Sequence, residues 1–139
     1  GKTMNIGLIA HNTKKTLLEN FCIAYKGSLK KHHLVATGMT GKRIEDATGL
    51  TVTKFLPGIM GGDKQFQNEI TNHDIDMVIF FHQNDIESKD EGLSLVEVMR
   101  LCDFYNIPLA TNIATAESLI MGLDNGDIIE QRRSEAIGL

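Results

Sequence analysis

The sequence is poor in the residues that mark several specialised classes of protein. It has two cysteines, two prolines and no tryptophan in 139 residues, and 6% of its residues are aromatic. Two cysteines cannot form a disulfide scaffold. Cys22 and Cys102 lie among apolar neighbours in predicted helices, so we expect buried, reduced thiols.

Long apolar runs and a basic excess are also missing. No stretch approaches the roughly 20 apolar residues that cross a bilayer, and the N-terminus lacks the pattern of an export signal. Fourteen Lys and Arg stand against 18 Asp and Glu, a formal net charge of −4. Nucleic-acid binding demands the opposite balance. We therefore expect a cytoplasmic protein with no membrane and no nucleic-acid partner.

Short apolar runs alternate with helical patterns along the chain. They predict strands at residues 5–10, 34–36, 52–55, 77–81 and 107–110. The runs "NIGLIA" and "MVIFF" are almost continuously apolar, as in strands covered by helices on both faces. This alternation predicts an α/β fold with a five-stranded parallel sheet in a three-layer α/β/α arrangement. The length is that of one domain, which we place at residues 1–139.

Polar and glycine-rich stretches follow each predicted strand. In chain order they read "HNTKK", "TGMTG", "LPGIMGGD", "HQND" and "TN". Ligands of open parallel α/β sheets bind at the carboxyl ends of the strands. We therefore predict a ligand pocket at this edge. Histidine and cysteine spacings do not match a metal site, so we predict no metal.

The stretch "TGMTG", residues 37–41, has features of a phosphate site. Thr37 and Thr40 offer hydroxyls, and the glycines leave main-chain N–H groups accessible at a helix start, where anions are favoured. The alternative is a simple turn in which Thr40 caps the helix. Lys15 in the first loop would add positive charge, unless it is a solvated surface lysine.

The stretch "LPGIMGGDKQ", residues 56–65, surrounds one carboxylate with three glycines. Gly58, Gly61 and Gly62 permit unusual main-chain angles and close approach of a ligand. Asp63 either caps the following helix or acts as a general base over a small substrate, since desolvation raises the basicity of a carboxylate.

Two histidines follow predicted strands directly. His11 comes after the first strand and is either a hydrogen-bond donor to a substrate oxygen or a structural histidine. For His82, after the fourth strand, a structural role is favoured.

Several blocks together resemble methylglyoxal synthases. They are "LIAHNTKK", "ATGMTG", "ATGL", "MGGDKQ", "DMVIFF", "RLCDFYNIPLATN" and "TAE", in order from Met4 to about Gly126. Methylglyoxal synthases convert dihydroxyacetone phosphate into methylglyoxal and inorganic phosphate. They use no cofactor and no metal, and they usually form homohexamers around a five-stranded parallel sheet. The resemblance implies the same fold, reaction, phosphorylated triose substrate and assembly here.

The resemblance also implies roles for individual residues. Asp63 would remove the proton next to the carbonyl, and His11 would contact the carbonyl or enediolate oxygen. The phosphate would be held by Lys15, Thr37, Thr40 and Gly58. The alternative is a non-catalytic, phosphate-responsive binding module, because similar domains occur as allosteric units of larger enzymes.

Some family residues are replaced. Asn12 stands in place of an aspartate and Met39 in place of a threonine, and the remaining changes near the glycine stretch are Pro57, Ile59 and Lys64. The loop at residues 83–94 is apparently one residue longer than in the family.

When the loop is aligned with the family by counting back from Arg100 without a gap, Glu91 takes the position of the family's histidine. Ser94 then takes the position of its second catalytic aspartate. A shifted gap would bring Asp90 or Glu91 into that role instead. The family's C-terminal arginine near the phosphate corresponds to Arg132 or Arg133.

Overall fold

A computed structural model of the chain describes residues 3–56, 60–83 and 93–126. This part contains a five-stranded sheet in the order β3-β2-β1-β4-β5, and every neighbouring pair is parallel. The strands are β1 Asn5–Ala10, β2 His33–Thr37, β3 Val52–Phe55, β4 Met77–Phe81 and β5 Leu109–Ala110. The predicted α/β fold with a parallel sheet is confirmed.

Helices connect these strands. A short 3-10 helix at Asn12–Lys14 leads into the first α-helix. The α-helices are α1 Lys15–Ala24, α2 Lys26–Leu29, α3 Gly38–Thr48, α4 Gly62–Thr71, α5 Leu95–Phe104 and α6 Ile113–Asp124.

The sheet separates two hydrophobic layers. Buried side chains of α1, α2, α3 and α6 pack on one face, with Leu18 and Ile120 among them. Buried side chains of α4 and α5 pack on the other, including Phe66 and Val98. Helices on both faces explain the nearly continuous apolar runs of β1 and β4, because their side chains are buried on both sides of the sheet. The three-layer arrangement is confirmed.

The fifth strand is shorter than its apolar run. The sequence predicts residues 107–110, whereas β5 comprises only Leu109–Ala110. Pro108 has no N–H to donate to a neighbouring strand. Its carbonyl still accepts a hydrogen bond from the N–H of Val78 at 2.9 Å. The hydrogen bonding to β4 therefore begins one residue before β5.

A glycine in the central strand brings α4 close to the sheet. A Cβ on Gly7 would lie 2.3 Å from the ring carbon Cζ of Phe66, which is fully buried in α4. Only a residue without a side chain leaves room for this ring. Close packing of α4 holds its first turn, with Asp63, at the carboxyl edge of the sheet.

The strand order reverses between β1 and β4. From β1 the chain moves outward to β2 and β3, then crosses to β4 on the other side of β1. The N–H of His11 donates to the carbonyl of Phe81 at 3.1 Å, which extends this central pairing beyond the strands. A crevice at such a reversal is where α/β sheets bind ligands.

Candidate active site

The start of α3 forms the first part of the site. Thr37 is the N-cap residue and has extended main-chain angles. Gly38, Met39 and Thr40 then occupy the first helical turn, in which main-chain N–H groups have no acceptor within the helix. Thr40 is the third residue of α3 and only 3% exposed, so the alternative prediction that it caps the helix is wrong. These N–H groups make the edge of the sheet suitable for an anion.

Lys15 adds a positive charge beside this helix start. It is the first residue of α1 and is half-buried. Its ammonium donates to the hydroxyl oxygen of Thr40 at 2.8 Å and to the carbonyl of Ala10 at 3.2 Å. Lys15 is therefore not a solvated surface lysine. The structure brings Lys15 and Thr40 together, and Thr37 lies at the end of β2 as the N-cap residue of the same helix start.

Asp63 lies in the first turn of α4. The N-cap position belongs to Gly61, whose φ of 104° places it in the left-handed region that favours glycine. Asp63 follows two residues later and is half-buried, so the alternative prediction that it caps the helix is also wrong. A carboxylate in a first helical turn interacts favourably with the helix dipole. Gly58 of the same glycine stretch lies outside the described residues.

The chain leading toward α4 is tied to the helix itself. The side-chain oxygen of Gln65 accepts a hydrogen bond from the main-chain N–H of Leu56 at 2.8 Å. Leu56 follows β3 directly. The bond therefore fixes where the chain leaves the sheet relative to the turn that carries Asp63.

His11 is held through both ring nitrogens. The main-chain N–H of Gln83 donates to its Nδ1 at 2.8 Å, and its Nε2 donates to the carbonyl of Leu93 at 2.9 Å. The ring also contacts Phe80 edge-on, with 5.0 Å between ring centroids. These contacts lie at the central reversal of the sheet. They involve main-chain groups, which carry no signal in the sequence.

One of the residues that the sequence aligns with the family's second aspartate, Ser94, has a structural role in this chain. Ser94 is the N-cap residue of α5, and its hydroxyl oxygen accepts from the N–H of Glu97 at 3.4 Å. The other candidates for a supporting role, Asp90, Glu91, Arg132 and Arg133, lie outside the described residues.

A separate cleft of about 450 Å³ opens at the ends of β1, β4 and β5. It is lined by Lys14, Leu17, Phe81, His82, Thr111, Asn112 and Ile113. None of these described lining residues belongs to the predicted site. His82 is half-buried there, and its Nδ1 donates to the carbonyl of Gln83 at 3.2 Å.

The described residues show neither a metal-binding cluster nor a membrane-spanning helix. Within residues 3–56, 60–83 and 93–126, no group of three or more His, Cys, Asp or Glu side chains could hold a metal ion. No helix in those ranges is long and apolar enough to cross a membrane.

Comparisons with known proteins agree with this geometry. Residues 18–111, more than half of the chain, match the family model described as "MGS-like domain". The methylglyoxal synthase of Caldicellulosiruptor saccharolyticus is 54% identical over 125 residues, which cover 90% of this chain and 88% of the relative. That of Thermoanaerobacterium thermosaccharolyticum is 47% identical over 131 residues, covering 94% and 96%.

A solved structure shows the same fold. The crystal structure of methylglyoxal synthase from Elizabethkingia anophelis matches with a TM-score of 0.79 and 37% identity, over 85% of this chain and 77% of that one. The sheet order, the family model and the solved structure thus define an α/β protein of the MGS-like class. Within that class, the chain belongs to the methylglyoxal synthase family, whose members are lyases.

Proposed function

We propose that this chain converts dihydroxyacetone phosphate into methylglyoxal and inorganic phosphate in the cytoplasm, without a cofactor. The observation that carries the proposal is the placement of Asp63 in the first turn of α4, at the same sheet edge as the Lys15 and Thr40 pair. A base and an anion-binding helix start on one edge are the two parts that this elimination needs.

In this reaction Asp63 takes the proton from the carbon next to the carbonyl. The electron pair of the broken C–H bond forms the enediolate, and the negative charge on its oxygen requires a hydrogen-bond donor aimed at that oxygen. His11 supplies this donor. The enediolate electrons then expel phosphate as the C–O bond breaks, which leaves the enol of methylglyoxal. This enol becomes methylglyoxal when its methylene carbon takes up a proton and its hydroxyl loses one, and Asp63 returns its proton to the phosphate or to water.

The leaving phosphate is held at the start of α3. The ammonium of Lys15, the hydroxyls of Thr37 and Thr40, and the main chain around Gly58 surround it. Positive charge and main-chain N–H groups stabilise a phosphate at a helix start. Inorganic phosphate, as the second product, occupies the same position.

The functional unit in this proposal is a homohexamer. Large apolar side chains are exposed around the site edge, namely Met39 at 61%, Leu56 at 48% and Met60 at 65% exposure. Contacts with further copies of the chain would bury such side chains. Light scattering should give the mass of six chains, and a monomeric mass would contradict the assembly.

The decisive assay follows methylglyoxal and phosphate together after dihydroxyacetone phosphate is added. We expect equal release of both products. Asp63→Asn should lower kcat by about 10²–10⁴-fold, the usual contribution of a general base. Asp46→Asn is the matched control because Asp46 is an exposed carboxylate on α3, and it should keep full activity.

One observation favours a second function, a phosphate-responsive binding module. Ser94, which an ungapped count back from Arg100 aligns with the family's second catalytic aspartate, is the N-cap residue of α5. Tight binding of inorganic phosphate without any turnover of dihydroxyacetone phosphate would support the module and contradict the synthase.

A further inference from the structure

His11 bridges two main-chain groups that belong to the same long connection. Gln83 lies two residues after β4 and Leu93 two residues before α5. Both are distant from His11 in sequence, by 72 and 82 residues. The imidazole therefore joins the end of the central strand β1 to both ends of the β4–α5 connection.

The two hydrogen-bond partners of His11 determine which of its ring nitrogens carries a proton. A main-chain N–H can only donate, so Nδ1 must accept from Gln83 and must carry no proton. A carbonyl oxygen can only accept, so Nε2 must carry the proton that it donates to Leu93. The ring is accordingly the neutral tautomer with its single proton on Nε2. A second proton on Nδ1 would set two N–H groups against each other at 2.8 Å.

The surroundings hold this ring in place. Leu93 is 4% exposed and Phe80 is fully buried, and the edge of the Phe80 ring limits rotation of the imidazole. Leu93 belongs to the same hydrophobic cluster as Phe80, and both hydrogen-bond partners of the ring are main-chain groups. The orientation of the ring thus does not depend on a flexible side chain.

We propose that the main-chain N–H of Gln83 is a positioning group that fixes His11 as a neutral Nε2–H donor. The catalytic consequence rests on the proposed function. Because only Nε2 carries a proton, the enediolate oxygen receives its hydrogen bond from that nitrogen, in place of the Leu93 carbonyl. His11 then stabilises charge without gaining or losing a proton.

The tautomer itself is measurable without any substrate. In protein labelled with ¹⁵N at histidine, NMR should show His11 with a protonated Nε2 and an unprotonated Nδ1 at neutral pH. The His11→Gln variant identifies its signals among the five histidines. A proton on Nδ1, or a rapidly exchanging mixture of tautomers, would overturn the proposal.

A pair of substitutions at residue 83 tests the donor. Gln83→Pro removes the main-chain N–H, whereas Gln83→Ala keeps it and removes only the side chain. We expect Gln83→Pro to mix the two tautomers and to lower kcat at least tenfold with KM within twofold. Gln83→Ala should behave like the parent protein. Equal kcat in both variants, or an unchanged tautomer in Gln83→Pro, contradicts the positioning role.

Two variants of His11 answer the same question if Gln83→Pro does not fold. His11→Asn keeps an acceptor near the position of Nδ1 but has no donor at Nε2. His11→Gln keeps an N–H near the position of Nε2 but has no acceptor for Gln83. Because the proposal places the useful proton on Nε2, His11→Asn should lose more kcat than His11→Gln. The reverse order would overturn it.

These measurements separate this inference from the proposed function. A parent protein that does not turn over dihydroxyacetone phosphate contradicts the synthase reaction. The NMR spectra of that protein and of its Gln83→Pro and Gln83→Ala variants still decide whether Gln83 fixes the tautomer.

Discussion

Lys15 and Thr40 meet with 2.8 Å between the ammonium nitrogen and the hydroxyl oxygen, although they are 25 residues apart in the chain. The contact connects the start of α1 to the first turn of α3. It holds a positive charge beside the first turn of α3, whose main-chain N–H groups favour an anion.

Lys15→Met should weaken binding of inorganic phosphate about ten- to a hundredfold. A hydrogen bond to a charged group contributes roughly 1.5–3 kcal/mol, and each 1.4 kcal/mol is about a tenfold change in affinity. Isothermal titration calorimetry with phosphate measures the dissociation constant. Lys14→Met is the matched control, because Lys14 lines the separate cleft and should bind phosphate normally. Equal affinities for the two variants would exclude Lys15 from the site.

Gly7→Ala should destabilise the fold by about 1–3 kcal/mol, the usual cost of overpacking a core. The added Cβ would lie 2.3 Å from Cζ of Phe66. Chemical denaturation measures the free energy of unfolding. Gly27→Ala is the control, because nothing lies within 4 Å of its added Cβ and alanine favours a helix. Adding Phe66→Leu to Gly7→Ala should recover part of the loss, and no recovery would contradict the packing argument.

Glu69→Gln should raise the thermal unfolding midpoint at pH 7. Burial, then the hydrogen bond and charge of Asp74, raise the pKa of Glu69. A carboxyl group with a raised folded-state pKa favours the fold below its unfolded pKa, and this stabilisation is lost as pH rises through the folded pKa. The advantage of the variant should therefore disappear below about pH 4, near the ordinary glutamate pKa.

Glu45→Gln should shift the thermal unfolding midpoint at pH 7 in the opposite direction from Glu69→Gln. Hydrogen bonds from Lys54 and from the N–H of Val52 lower the pKa of Glu45. Its stabilisation is present above the unfolded pKa and is lost as pH falls through the folded pKa. The variant should lower the unfolding midpoint at pH 7 and match the parent protein in acid. Midpoint shifts of the same sign at pH 7 for both glutamate variants would contradict this assignment.

Thiol reagents should label neither cysteine in the folded protein. Burial raises the pKa of Cys22 and of Cys102 to about 12, so about one thiol in ten thousand is ionised at pH 8, and the thiolate is the reactive form. Mass spectrometry should show two labels after denaturation and none before it. Rapid labelling of the native protein would contradict this burial.

Much of the fold follows from local patterns. The strands β1, β3 and β4 have their predicted bounds. For β1 and β4, a nearly continuous apolar run between helical patterns has few other solutions. The thiols of Cys22 and Cys102 are buried as predicted. The start of the fifth strand differs from the prediction, because Pro108 has no main-chain N–H to donate, although it does not interrupt the apolar run.

The details of the site depend on tertiary contacts that no pattern encodes. The cap positions fall at Thr37 and Gly61, whereas the sequence left Thr40 and Asp63 open as caps. The partners of His11 are main-chain groups more than 70 residues away. Any residue type except proline supplies such an N–H, so the sequence alone does not identify Gln83.

The central position of β1 has a consequence during protein synthesis. Ile6 pairs with Leu34 on one side and with Met77 on the other. At about 5 to 20 residues per second, the ribosome needs roughly 4 to 14 s to pass from the first of these residues to the last. Until Met77 is made, the nascent chain has an apolar strand with at least one open edge, which is the period when a molecular chaperone would protect it.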